Sequence, residues 1–457
     1  MLADPSDAMS AGSITSSKPQ QMVYAGTPAF IFWMVIVSLL PVAALFGGMA
    51  FLMMALATGV AVIVWIRPQE APAAGILFLF ASSVLLPYGA RLDLDMPNTG
   101  EMYYWAGGLL LITVVAVVRL GARQIFMIPA SAKVFLAVGF LASVFGLMQG
   151  VAVSYVLRQF YGVLLMVVYF GLALNVGSEA LLIRRIQTFG ILCASMFVVY
   201  FVWTFAEYGI HREPTTVGFV PAMLATVLLF NGLEQKKPLY VLGAIILLCV
   251  PILIFQRGAT LTFLAALPLA VVIKARTKKF QILACLALLF VAMPGFAPQV
   301  AEKVGEAIKT VPVIGSILPE DAAASGTLLD RVLQLGAAVV TVQAHPWLGS
   351  GMGSEIEWES PLFGGFRRTP FVENGWAYLL QKMGLLGAAA FLWFLYTVLR
   401  NVSRRAVGLS ACLLAAILVT MFNNAVFFHF TTSPLAGTLA GLLVAKKDHH
   451  HTQAAVS

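Results

Sequence analysis

Three arginines stand apart from the other basic residues. Arg158, Arg212 and Arg257 lie singly against long apolar runs, whereas most lysines and arginines come in clusters. A guanidinium is permanently charged and presents a planar fork of donors that matches phosphate oxygens. Three of them above one cavity would suit a diphosphate; the alternative is interfacial arginines whose stems are buried and whose heads reach water. Arg257 has the strongest pattern. It sits at a two-residue break, Gln256-Arg257, and Gly258-Ala259 follow, small enough to let a ligand approach closely. Glu373-Asn374 stands where a polar stretch returns to an apolar run. A partly desolvated carboxylate there can serve as a base near neutral pH, or it is simply a charge favoured at a helix N-terminus. His345 precedes Pro346 and is either a second titratable group or a turn residue. Glu355, Glu357 and Glu359 alternate with Ile356 and Trp358; a solvated face is favoured over a metal site or a sugar-contacting edge. The chain has no P-loop, no GxGxxG after a strand, no HExxH and no paired DxD, which argues against an ATP-driven pump and a metal-dependent nucleotide-sugar transferase.

These residues are set among apolar segments that dictate the architecture. The chain is 60% hydrophobic and 11% charged over 457 residues, a composition that soluble domains do not have. Helices satisfy their own backbone in lipid, so the expected fold class is an all-α polytopic membrane protein. About fourteen (twelve to fourteen) transmembrane helices are expected from the apolar stretches. They run over 29–46, 48–66, 72–88, 103–118, 134–151, 160–177, 188–206, 217–232, 238–255, 258–273, 280–296, 375–399, 406–426 and 430–445. With the N-terminus placed in the cytoplasm, the even-numbered connections carry the basic clusters, including Arg119 with Arg123 and Lys133, Arg184-Arg185, Lys236-Lys237, and Arg400 with Arg404-Arg405. This is the positive-inside bias. It leaves Arg158, Arg212 and Arg257 on the outer side, where topology does not account for them. The net charge of +8 belongs to those cytoplasmic loops and gives no reason to expect nucleic acid. Cys193, Cys249, Cys285 and Cys412 all fall in apolar runs without a CxxC pair and read as packing residues. The absence of an internal repeat speaks against many transporter folds.

The expected organisation is a disordered cytoplasmic tail (1–28), a transmembrane region (29–296), a periplasmic loop with short helices (297–374), C-terminal transmembrane helices (375–445) and a cytoplasmic tail (446–457). No cleavable signal peptide is expected, because the first apolar run is long and begins late. Within the loop, Thr327 with Asp330 reads as a helix N-cap, and the apolar residues after them recur at helical spacing. The helix should stop at Ala344-His345-Pro346. A glycine-dense turn, Gly349-Ser350-Gly351-Met352-Gly353, follows.

Several of these stretches resemble one family. Residues 326–353, with Arg331 and then His345-Pro346-Trp347-Leu348-Gly349-Ser350-Gly351-Met352-Gly353, resemble a segment of the O-antigen ligase and polymerase superfamily reading roughly R…hPllGvGlG. Residues 373–387 resemble its HNxYLxxLxExGLxG helix. Phe255-Gln256-Arg257-Gly258-Ala259 is similar to its SRGA hairpin, and Arg212 with Gly218-Phe219-Val220-Pro221 to its R…GtfxnPN stretch. Order and sidedness agree over roughly 155–400. The chain departs from the pattern at Glu373, where the ligase members carry histidine, and at Ala222, where the family has asparagine.

The resemblance implies an inner-membrane, metal-independent and cofactor-free glycosyltransferase working at the periplasmic face. Its donor would be an undecaprenyl-diphosphate-linked oligosaccharide in membrane lipid, and its associates a chain-length regulator and a flippase. Glu373 would orient or deprotonate the attacking hydroxyl. Arg257 and Arg212 would stabilise the departing diphosphate, with His345 a further catalytic candidate. Arg158, Arg331, Asn374 and Tyr378 would bind substrate. The expected activity is polymerisation of lipid-linked repeat units for exopolysaccharide, capsule or O-antigen. A ligase acting on lipid A–core or another acceptor is the nearer alternative. A lipid-linked oligosaccharide flippase is the other, although a flippase should lack the long one-sided loop.

Overall fold

A computed structural model describes residues 48–85, 99–208, 219–253, 257–274, 323–360, 365–370, 372, 374–402, 406–423, 426–429 and 431–454. Apart from the single turn Ala122–Ile125, the α-helices in chain order are α1 (Gly48–Ile66), α2 (Ala71–Leu85), α3 (Thr99–Leu120), α4 (Ala130–Met148), α5 (Val153–Val176), α6 (Glu179–Arg185), α7 (Ile191–Tyr208), α8 (Phe219–Gln235), α9 (Pro238–Leu253), α10 (Arg257–Lys274) and α11 (Ala323–Ala344). A hairpin of β1 (Ile356–Ser360) and β2 (Gly365–Thr369) follows, then α12 (Gly375–Leu399), α13 (Val407–Asn423) and α14 (Ser433–Ala454). Every expected apolar segment that falls within the described residues is helical. The segments 29–46 and 280–296, Cys285 and the first twenty-eight residues lie outside them.

Four helical stretches are long and apolar enough to cross a membrane: Ala130–Met148, Val153–Val176, Glu179–Val199 and Gly375–Leu399. Shorter apolar helices accompany them. The outward faces of these helices are apolar too: Phe140, Leu141, Leu392 and Trp393 are about half exposed, as expected of a surface that meets lipid rather than water. Lipid is as apolar as leucine, so the helices associate through close packing and buried polar contacts rather than by escaping solvent. The tightest seam runs between α5 and α14. There Gly437 and Gly441, four residues apart, lie directly against the Met166 and Phe170 carbonyls, where no larger residue fits. The aromatic centre is built by Phe135 of α4 between Phe391 and Phe394 of α12, at centroid distances of 5.4 and 6.1 Å.

Near residues 65–70, 119 and 185 the contacts are basic. Arg185 pairs with Glu70 at 2.5 Å, and Arg119 Nε donates to the Trp65 carbonyl at 3.1 Å. The other end of α4, α5 and α12 carries the glycine turn and the hairpin. One local expectation is corrected in the loop. The helix of the long loop starts at Ala323, so Thr327 and Asp330 lie within α11 and Thr327 is not its N-cap. Ile356–Ser360 is a strand paired antiparallel to β2, an element that the expected short helices of the loop did not include. Ile356, Trp358 and Ser360 are buried while Glu357 and Glu359 are exposed. The alternation is therefore a strand with a solvated face, and Glu355 pairs with Arg368 at 2.5 Å.

Candidate active site

α12 is broken where the loop meets it. Gly384 has φ +62 and ψ −160 inside an otherwise helical run, a conformation open to glycine and strained for other residues. A broken helix leaves amides and carbonyls without helical partners, and such groups cannot stay bare at membrane depth. The segment after α11 supplies them. The Pro346 and Trp347 carbonyls accept from Leu385 N at 2.9 Å and Leu386 N at 3.2 Å, and Ser350 N donates to the Gln381 carbonyl at 2.8 Å. The turn itself needs its glycines: Gly349, Gly351 and Gly353 have φ of +60, +83 and +80. Its other side rests on α4, where Met352 N donates to the Ala142 carbonyl at 3.0 Å. The glycine turn is thus wedged between α4 and the break in α12.

Gln159 of α5 ties this wedge to the bundle. Its Oε1 accepts from Gly353 N at 2.7 Å and its Nε2 donates to the Pro370 carbonyl at 2.5 Å. Its own carbonyl accepts from the Tyr378 hydroxyl at 3.3 Å. Tyr378, buried on α12, stacks flat on Phe428 at 4.7 Å and 4°. Asn374 is buried, and its Oδ1 caps α12 by accepting from Ala377 N at 3.0 Å. Below them Gln381 Nε2 donates to the Glu355 carbonyl at 2.9 Å, and the fully buried Lys382 ammonium donates to the Ser354 carbonyl.

The expected site residues divide accordingly. Arg158 is half-buried and precedes Gln159, whose carbonyl meets the Tyr378 hydroxyl, while Asn374 caps the same helix as Tyr378. His345 instead packs edge-on to Phe145 at 6.1 Å, and its backbone closes the turn through Gly349 N at 3.0 Å. Arg257 is the first residue of α10 and Arg331 lies within α11. Glu373 and Arg212 lie outside the described residues. Cys193, Cys249 and Cys412 are free thiols. Among the described residues no cluster of three or more His, Cys, Asp and Glu could hold a metal.

Three residues were not anticipated: Gln159, Lys382 and His429. A charged residue inside an apolar run is by default a functional or structural anchor, and Lys382 carried that signal. His429 lies in the connection between α13 and α14, and its Nδ1 is 2.7 Å from Thr431 Oγ1. Desolvation first, and then the nearby Arg158 charge, push its ring down to about 4, so it is neutral at physiological pH.

α5, α12 and α14 all begin in this neighbourhood, so the positive ends of three helix dipoles are brought together. A basic side chain, buried polar groups and convergent helix N-termini are what an anionic ligand requires. The molecule is a multi-pass helical membrane protein whose loop segment is spliced into a transmembrane helix to build an anion-compatible end. Residues 242–392 match the family model described as O-antigen ligase, so the resemblance read from the motifs holds over that part of the chain. The matched stretch runs from α9 through the glycine turn and the hairpin to Leu392 of α12. Members of this family are glycan-transferring enzymes acting on lipid-linked glycans in polysaccharide biosynthesis. No curated protein matches the chain.

Proposed function

We propose that the chain is an inner-membrane polysaccharide polymerase. It transfers a glycan from undecaprenyl diphosphate to the acceptor sugar of another lipid-linked repeat unit, at the periplasmic face. The observation that carries this reading is the wedge. The matched segment 345–353 is fixed between α4 and α12 against Gln159 and Tyr378, in a chain whose 242–392 stretch matches the glycan-transferring family. In the proposed reaction the acceptor oxygen bonds to the anomeric carbon as the bond to the diphosphate oxygen breaks. The electron pair leaves with undecaprenyl diphosphate, and the hydroxyl proton goes to Glu373. Undecaprenyl diphosphate is a capable leaving group, so the protein chiefly positions two large substrates and stabilises charge on the departing diphosphate. Arg158, Arg212 and Arg257 would do the latter, with Arg331 reaching in from the loop.

Glu373, where the ligase members of the family carry histidine, favours polymerase. The family description itself favours the second reading, a ligase with another acceptor. The deciding experiment supplies the purified chain with lipid-linked repeat units, alone or with lipid A–core. A ladder of products from repeat units alone supports the polymerase. Transfer only when lipid A–core is present supports the ligase. Neither product would defeat both.

A further inference from the structure

The connection between α13 and α14 makes a short 3-10 turn, Val426–Phe428, and continues through His429 to Ser433, the first residue of α14. Two contacts fix its place. Phe428 stacks on Tyr378. The Phe428 carbonyl and the His429 amide lie against Gly162 of α5, the amide 3.5 Å from where a Cβ would stand. Gly162 is one helical turn beyond Arg158, so His429 is set beside Arg158, and the Arg158 charge is felt at its ring.

The ring's tautomer follows from its partners. The Thr431 amide, which can only donate, is 3.5 Å from Nδ1. Nδ1 is therefore an acceptor, for this amide and for Thr431 Oγ1 at 2.7 Å. The proton of the neutral ring is then on Nε2. An Nε2–H beside an arginine is a donor for an oxyanion, and cannot accept a hydroxyl proton at that nitrogen. The start of α14 adds the positive end of its dipole. The Ser433 hydroxyl there is fully buried and has no hydrogen-bond partner, an unusual condition for a native hydroxyl.

We propose that His429, together with Arg158 and the N-terminus of α14, forms the subsite that grips one phosphate of a lipid-linked diphosphate; this rests on the reading above that the donor is such a lipid. His429 contributes a neutral hydrogen bond from Nε2, Arg158 contributes the charge, and the Tyr378–Phe428 stack holds the connection in place. The acid–base role remains with another group.

The test measures binding of farnesyl diphosphate to the full chain in detergent, with farnesol and inorganic pyrophosphate as companion probes. His429→Phe should weaken farnesyl diphosphate binding about tenfold or more, the scale of one hydrogen bond to a charged group. His429→Gln, which keeps a donor, should stay within about threefold of the parent. Farnesol should bind all variants alike. His429→Phe combined with Arg158→Gln should lose less than the product of the two single effects, because both residues hold one phosphate. Unchanged affinity in His429→Phe at an unchanged melting temperature would overturn the subsite, as would multiplicative effects in the double variant. If His429→Phe does not fold, His429→Ala is read in its place by the same criteria. Pyrophosphate binding as tight as farnesyl diphosphate, and equally dependent on His429, would overturn the lipid part of the proposal. A parent chain that binds no farnesyl diphosphate would sink the lipid-diphosphate reading of the function itself, whereas binding indifferent to His429 sinks only the subsite.

Discussion

Replacing Gly384 with alanine should release the loop from α12. The position has φ +62 and ψ −160, a region essentially reserved for glycine that costs an L side chain about 1–3 kcal/mol. A Cβ there would stand 2.5 Å from both Gly349 N and the Trp347 carbonyl oxygen, closer than any real contact, and both are backbone atoms that cannot swing aside. Relieving the clash requires the segment 346–350 to draw back. Three hydrogen bonds cross that gap: Leu385 N to Pro346 O, Leu386 N to Trp347 O and Ser350 N to Gln381 O. Each is worth about 0.5–1.5 kcal/mol net, so strain and lost bonds together come to about 3–7 kcal/mol. Gly336, inside α11, is the matched control. A Cβ there meets nothing within 4 Å, and alanine at a helix interior gains about 0.5–1 kcal/mol over glycine. The assay is thermal unfolding of both variants in one detergent, with limited proteolysis across residues 345–353. Gly384→Ala should melt several degrees below the parent and be cleaved faster in the turn, while Gly336→Ala should melt at or above the parent. Equal melting and equal cleavage in Gly384→Ala would refute the splice as a structural joint.

Further outcomes bear on chemistry and topology. Arg257→Ala should lower polymer formation about 10²–10³-fold with the protein still in the membrane, and Arg257→Lys should restore it only in part, since the charge returns without the fork; full polymer from the alanine variant would reduce Arg257 to a topology residue. Glu373→Gln should lower turnover rather than affinity for lipid-linked substrate, with Glu373→His recovering activity if the two groups do the same work; near-normal turnover in the glutamine variant rejects Glu373 as base. Cysteine at position 325 should be labelled from outside intact spheroplasts and cysteine at position 403 should not, and external labelling at 403 would invert the whole arrangement.

Much of the framework was legible because lipid simplifies the problem. A backbone with no water to turn to must be helical, so apolar length alone located α1, α8, α9, α10, α12 and α13 to within about three residues at each described end, whereas α5 begins seven residues before its expected start and α14 runs nine residues past its expected end. Punctuation was legible too: His345-Pro346 ended α11 at Ala344, and the glycines of 349–353 adopt the conformations that made them worth noting. The hairpin was half legible. Alternation in 355–359 marked a solvated face, but β2 carries Arg367-Arg368 and little apolar signal, so its pairing was invisible. The start of α11 was misread because Thr327 and Asp330 make a plausible cap only if the preceding Ala-rich residues are not helical, and alanine favours helix most of all. The site was least legible where it depends on distant pairs. Nothing near Gln159 in sequence announces Gly353, Pro370 or Tyr378, and His429 is meaningful only because α5 and α14 pack closely enough to bring Arg158 to it.

The wedge also constrains how the protein can be made. Its two supports, Ala142 on α4 and Gln381 on α12, come from opposite sides of the longest interval between membrane helices. A nascent chain that has inserted α4 and produced the glycine turn still lacks α12, and the Tyr378–Phe428 stack waits for the connection before α14. The turn therefore cannot dock fully until α12 is in place. A chain halted before α12 would present α5 and its Gln159 without the Tyr378 and Gln381 contacts that hold the turn in place.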